Sequence, residues 1–116
     1  MKRDMRLYVK DILESILAIE EYTQNLDEDK FHNNRQVQDA VIRRLGIIGE
    51  AVKKLDKDFR EKYFDIPWKE IAGMRDVIIH EYFGVNLKRV WLIIKNDLPQ
   101  IKGKIIIIWD EIKGTG

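Results

Sequence analysis

The chain of 116 residues has a mass of 13.8 kDa, with 45% hydrophobic and 35% charged residues, a composition typical of a folded globular protein. Its net charge of +1, from 21 Lys and Arg against 20 Asp and Glu, does not point to a nucleic-acid partner. Without cysteine there can be no disulfide framework, zinc–thiolate cluster, iron–sulfur site or cysteine nucleophile, and two histidines are too few for a dense metal site.

The start of the chain shows no sign of a targeting segment. Lys10, Asp11 and Glu14 interrupt its amphipathic pattern, so the apolar block of a signal peptide is missing. The most apolar run, 105–109, is far shorter than the roughly 20 residues that span a bilayer. We therefore expect a cytoplasmic protein without membrane contact, folded as one domain over residues 1–116 and needing no metal or cofactor.

The first half of the chain carries two helical patterns. Apolar residues recur at steps of three and four, which predicts a first helix over 4–25 and a second over 35–56. Turn-forming residues fill 26–34, where Asn33 or Asn34 is suited to cap the second helix. Gly46 and Gly49 lie inside that helix, where each costs about 1 kcal/mol relative to alanine, so we expect close helix contacts there.

The second half predicts two further helices. Residues 57–65 suit a short helical turn that covers the core with its aromatic side chains, Phe59, Tyr63 and Phe64. Pro67 fits the first turn of a third helix over 67–83, which Gly84 ends.

A fourth helix follows, with Asn86 as its cap. Pro99 predicts a bend or restart after Asn96 or Asp97, and the last helical piece ends near Ile112. No strand-type alternation is present. The patterns together predict an all-α antiparallel bundle of four main helices.

Residues 73–84 concentrate the chemistry-bearing side chains of the chain: Arg75, Asp76, His80, Glu81 and Tyr82. On a regular helix Arg75 and His80 point about 140° apart, whereas Arg75 and Tyr82 nearly eclipse. Three arrangements could unite the groups: a distorted helix, an arginine that reaches round, or a two-fold dimer in which both chains complete one site.

The pairing of arginine with histidine suits phosphodiester cleavage. A histidine that titrates near pH ~6.5 can act as general base or acid, and arginine can hold a phosphate and offset charge on its oxygens. In RNA the 2′-hydroxyl is an internal nucleophile, so this pair suffices without a metal when the phosphate is positioned. An Arg and a His at this spacing also occur in helices with no catalytic role.

The order and spacing of a longer string resemble the HepT-like branch of the HEPN superfamily. The string is Arg75-x4-His80-x-Tyr82, preceded by Pro67-Trp68-x-x-Ile71-x-Gly73-Met74 and followed by Phe83-Gly84-Val85-Asn86-Leu87-x-x-Val90-Trp91. Upstream pieces, Ile48-Gly49-Glu50-Ala51 among them, look like the same branch, so that the resemblance covers about residues 3–112.

This resemblance implies a HEPN-like helical bundle that forms a homodimer with the motif at the subunit interface, and metal-independent endoribonuclease activity on RNA. It further implies the toxin of a type VII-like toxin–antitoxin module, whose antitoxin is a minimal nucleotidyltransferase. Arg75 and His80 would be the catalytic pair. Tyr82 would be the residue to which the antitoxin transfers AMP, which inactivates the toxin.

Asp76 and Glu81 would support the site. The family often has asparagine at the position of Asp76, where an aspartate can orient Arg75 through a salt bridge but adds negative charge beside an incoming phosphate. Two other functions remain open. One is a non-catalytic helical module that binds a nucleotide or partner and acts with a minimal nucleotidyltransferase, and the other is a dimeric bundle without chemistry.

Overall fold

The structure is a computed structural model that describes the backbone of residues 4–80 and 86–114 and the side chains of residues 4–74 and 86–114. All regular elements within these residues are helical, as the sequence predicts. They are α1 (Met5–Thr23), α2 (Glu28–His32), α3 (Arg35–Lys54), α4 (Lys57–Lys62), α5 (Trp68–His80), α6 (Leu87–Leu92) and α7 (Leu98–Ile112), with a π-helical turn (Ile93–Asp97) between α6 and α7.

The four long helices α1, α3, α5 and α7 form the bundle. Helix α3 packs against both α1 and α5, and α7 packs against α1. Lys54 at the end of α3 lies 6.0 Å from the ring of Tyr8 near the start of α1, so α1 and α3 are antiparallel. An ion pair of 2.9 Å joins Glu20 near the end of α1 to Lys102 near the start of α7, so these two helices are antiparallel as well.

Side-chain caps begin the helices where the sequence places polar residues. Of the two candidates for α3, Asn34 is the cap, since its side-chain oxygen accepts a hydrogen bond from the Val37 N–H at 3.1 Å. Asn86 caps α6 through the Arg89 N–H at 3.1 Å, which confirms that prediction.

Helix α2 corrects the expectation that 26–34 is only a turn. Asp27 caps it by accepting a hydrogen bond from the Lys30 N–H at 2.8 Å. Phe31 is fully buried, with its ring 5.3 Å from that of Trp91. Five residues are too few to show a helical period, so the helix forms through its cap and its packing rather than through a recognisable pattern.

Phe64 is another correction, because it does not cover the core. Phe59 and Tyr63 pack against the core as expected, with their rings 4.9 Å apart. Phe64, however, is 84% exposed. It follows the end of α4, where the chain turns toward Pro67 and points this side chain into solvent.

Pro67 precedes α5 by one residue. Its carbonyl oxygen accepts the hydrogen bond of the Ile71 N–H at 3.0 Å, so Pro67 occupies the capping position rather than the first turn. The helix is described as far as His80, and the predicted end at Gly84 lies outside the described residues.

The predicted restart before Pro99 takes the form of the π-helical turn. The Leu98 N–H donates to the carbonyl of Ile93, five residues back, and α7 then begins at Leu98 with Pro99 in its first turn. A proline ring collides with the carbonyl four residues before it in a regular helix, here that of Lys95, and the wider turn relieves this collision. The chain stays helical through it, from Leu87 to Ile112.

No helix among the described residues is long and apolar enough to cross a membrane.

The expected close contact at Gly46 is wrong. A Cβ built at Gly46 would meet no atom within 4 Å outside its own helix, although Gly49 is buried as expected of a helix contact. The half-buried Gly46 therefore leaves open space beside α3.

Gly46→Ala should raise the free energy of unfolding by roughly 1 kcal/mol, because alanine costs less conformational entropy in a helix and its methyl group enters open space. Urea denaturation measures the change. Gly103→Ala on the outer side of α7, where a Cβ also meets nothing, is the matched control and should gain a similar amount. A loss of stability confined to Gly46→Ala would contradict the open space.

Candidate functional site

Helix α5 carries the first part of the candidate motif. Its backbone is α-helical throughout Trp68–His80, so the α-carbons of Arg75 and His80 diverge by about 140° and lie about 7.5 Å apart along the axis. The helical backbone described over this range therefore does not bring the two residues onto one face. The arginine that reaches round and the two-fold dimer remain.

The structure assigns backbone but no side-chain geometry to part of the motif. The side chains of Arg75, Asp76 and His80 lie outside the described residues, as do Glu81 and Tyr82 altogether. Their roles stay predictions. What the structure does show is how the start of α5 is held and what lies beside it.

Three side-chain hydrogen bonds hold the turn that leads into α5, and two of them reach α7. The Trp68 indole N–H donates to the Tyr63 carbonyl at 3.0 Å, and the Lys104 ammonium donates to the Asp65 carbonyl at 2.8 Å. The Tyr63 hydroxyl donates to the Glu111 carboxylate at 2.9 Å. Because Lys104 and Glu111 belong to α7, this turn is anchored to the last helix.

The buried side of α5 completes the anchorage. Ile71 is 1% exposed and Trp68 is 6% exposed, both within the main core. The ring of Phe59 lies 6.4 Å from that of Trp68, so α4 contacts the first turn of α5. The helix that carries Arg75 and His80 thus starts from a rigid corner.

A groove lies beside α5. Three of its charged residues, Glu70, Arg89 and Asp97, were not singled out in the sequence. The groove runs between α5 and the π-helical turn and is lined by Glu70, Gly73, Met74, Arg89, Leu92, Ile93 and Asp97. Gly73 belongs to the string that resembles the HepT-like branch. Glu70 lies five residues before Arg75, about 1.4 helical turns, and this proximity is the signal in the sequence that could have drawn attention to it. Arg89 and Asp97 reach the groove through tertiary packing.

Metal ligands are a separate question for the part of the chain that the structure describes. No group of three or more His, Asp or Glu side chains in this part of the chain could hold a metal ion.

The chain is similar to a known protein family. The family model described as ribonuclease HepT-like matches residues 12–108. The chain therefore belongs to the HepT-like ribonuclease family, as the motif indicates.

Relatives at close to half identity support this assignment. A "Probable ribonuclease HepT" of Thermococcus cleftensis is 46% identical over 90% of this chain and 94% of its own length. A "Putative RNase" of Methanocaldococcus jannaschii is 45% identical over 92% and 98%, respectively.

A second protein of Methanocaldococcus jannaschii, named "Gamma-glutamylcyclotransferase and putative RNase", is 52% identical over 97% of this chain. The chain spans only 50% of the length of that relative. No solved structure matches the chain.

Tyr63→Phe tests the corner that begins α5. Burial, and then the hydrogen bond to the Glu111 carboxylate, raise the pKa of the Tyr63 phenol above its ordinary value of 10.0. A raised pKa contributes stability that is fully present below pH 10 and is lost as the pH rises through the raised pKa. We expect Tyr63→Phe to lose about 0.5–1 kcal/mol at pH 7, since the hydrogen bond is partly exposed.

Urea denaturation at pH 7 and at stepwise higher pH measures both effects. The difference between the two proteins should shrink above pH 10. Equal stability at pH 7 would contradict a role for this hydroxyl in holding α5.

Proposed function

We propose that the protein is a metal-independent endoribonuclease and the toxin of a toxin–antitoxin module. The observation that supports this most is the match to the HepT-like ribonuclease family over residues 12–108, which spans the Arg75-x4-His80 motif. The continuous helix α5 gives the motif a rigid carrier.

In the proposed reaction His80 removes the proton of the ribose 2′-hydroxyl, whose oxygen attacks the adjacent phosphorus. Arg75 holds the phosphate and offsets the charge that develops on its oxygens. The bond between phosphorus and the 5′-oxygen breaks, the 5′-oxygen takes up the proton that His80 removed, and the upstream product ends in a 2′,3′-cyclic phosphate. Asp76 and Glu81 support the pair, with Asp76 orienting the Arg75 guanidinium.

We further propose that two chains form a homodimer with both copies of α5 near the two-fold axis. On a straight helix Arg75 and His80 diverge, so groups from two chains can complete a site that one chain leaves divided. The surface retains exposed large apolar side chains that a partner copy could cover, among them Leu7, Leu17 and Ile107.

We propose that the activity of the toxin is switched off by a modification of Tyr82. A minimal nucleotidyltransferase would transfer AMP to its phenol oxygen. If the helix continues to Tyr82, that residue lies nearly on the face of Arg75, two turns along. An adenylyl group there carries a negative phosphodiester that can occupy the Arg75 guanidinium and repel an incoming substrate phosphate.

The assembly can be measured by light scattering at micromolar concentration. We expect a species of twice the 13.8 kDa of the chain. A monomer under all conditions would rule out a site shared by two chains. Arg75 would then have to reach round its own helix to approach His80.

His80→Ala and Arg75→Ala should each reduce RNA cleavage by a factor of about 10² to 10⁴ while the far-ultraviolet circular dichroism stays helical. The loss follows from removing the base or the phosphate clamp. EDTA should not inhibit the wild-type protein, and products should carry 2′,3′-cyclic phosphates. Glu21→Ala, which alters an exposed side chain on α1, is the control and should cleave normally.

Full cleavage by a folded His80→Ala protein would refute the catalytic assignment. Binding of RNA or nucleotide without cleavage by the wild-type protein would favour the non-catalytic module instead.

Co-expression with its cognate minimal nucleotidyltransferase should add the mass of AMP to the peptide containing Tyr82 and silence cleavage. Tyr82→Phe should escape modification and remain toxic in the presence of the partner. Peptide mass spectrometry identifies the modified residue. Modification confined to Tyr8, Tyr22 or Tyr63 would refute this mechanism while leaving the ribonuclease assignment intact.

A further inference from the structure

The groove beside α5 has the size and shape of a small-ligand site. It consists of two adjoining depressions of about 280 and 390 Å³ that share Glu70, Met74 and Asp97. Sites for small ligands commonly occupy about 300–1,000 Å³. One depression opens toward α7 and the other toward the end of α6, so the groove follows α5 for about two turns.

The groove combines an apolar floor with polar walls. Met74 is half-buried and Leu92 is 46% exposed, and both present apolar surface to the groove. The exposed carboxylates of Glu70 and Asp97 line both depressions. The exposed guanidinium of Arg89 lines one of them, and Lys104, whose ammonium donates to the Asp65 carbonyl, lines the other. A flat apolar group with hydrogen-bond donors on its edge would complement these walls.

Gly73 keeps the groove open. A Cβ at this position would meet no atom within 4 Å, so no neighbouring group forces a glycine here. Gly73 and His80 are seven residues apart on α5, so their α-carbons lie on nearly the same face at a distance of about 10 Å. The groove therefore adjoins the proposed catalytic position along one helix.

We infer that this groove is a subsite for one base of the RNA, adjacent to the cleaved bond, and that it selects bases with amino groups over uracil. The inference rests on the proposed ribonuclease function and adds a specificity to it. Single-stranded RNA is read by bases that leave the stack and present their edges to side chains.

Carboxylates give the groove its selectivity. Glu and Asp accept hydrogen bonds from amino groups such as cytosine N4, adenine N6 and guanine N2. Guanine presents its N1–H and N2–H side by side and suits one carboxylate best. Uracil presents a single N–H between two carbonyl oxygens, and the negative charges of Glu70 and Asp97 repel these oxygens.

The π-helical turn shapes the other wall. Ile93 and Asp97 are its first and last residues, and Leu92 directly precedes it. Its wider winding brings these residues to the groove opposite Glu70 and Gly73. Turns of this kind recur at functional sites, although here Pro99 also accounts for its presence.

The test compares RNA oligonucleotides that differ only in the base next to the cleaved bond. For the wild-type protein we expect kcat/KM to be about 10-fold higher with guanine than with uracil. Glu70→Gln and Asp97→Asn should reduce that ratio to about 2-fold or less. Asp110→Asn, which removes a negative charge from the exposed side of α7, should keep the wild-type ratio and activity.

Filling the groove provides a second variant. Gly73→Leu should abolish the preference for guanine, because the side chain occupies the space of the base. Gly103→Leu, with equally open surroundings on α7, should leave the preference unchanged. An unchanged guanine-to-uracil ratio in both Gly73→Leu and Glu70→Gln would overturn the subsite.

Binding separates this inference from the ribonuclease assignment. Fluorescence anisotropy with 2′-O-methyl oligonucleotides, which lack the internal nucleophile, reports the guanine-to-uracil ratio of Kd values in the absence of cleavage. A ratio that falls in Glu70→Gln supports the subsite even if the wild-type protein cleaves no RNA. Equal Kd values for the two bases in the wild-type protein would overturn it even if cleavage is found.

Discussion

The burial of α3 between α1 and α5 is the constraint on which the other elements depend. Val41, Leu45, Ile48 and Val52 form one stripe along α3, and each is at most 1% exposed. Shortening a fully buried leucine or isoleucine to alanine typically costs 2–5 kcal/mol, against a total stability of about 5–15 kcal/mol for a domain. Two such losses on α3 could therefore unfold the bundle and with it the helix that carries the motif.

The sequence predicted the long helices well because their apolar residues repeat at three- and four-residue steps. It also predicted caps such as Asn34 and Asn86, whose chemistry is local. Helix α2 escaped prediction because its five residues are held by the burial of Phe31, a tertiary contact. The apolar spacing from Val90 to Ile108 runs through the π-helical turn without a break, so only Pro99 gave a sign of irregularity.

The sequence predicts the motif of the candidate site, because its residues lie within one short segment whose spacing carries the signal, and their roles stay predictions. The groove beside it could not. Glu70 and Asp97 are far apart in the chain and line the same groove only because the fold places α5 beside the π-helical turn. The shape that Gly73 leaves open likewise depends on which neighbours face it.

The anchored corner before α5 has a mechanical consequence. From Trp68 to His80 the helix extends about 18 Å, so a tilt of about 5° at the corner displaces its far end by roughly 1.5 Å. Misplacement of a reacting group by 1 Å can cost about 100-fold in rate. Lys104 and Glu111 lie outside the motif, but their hydrogen bonds to the turn before α5 would then determine the direction of this helix and the position of the motif at its far end.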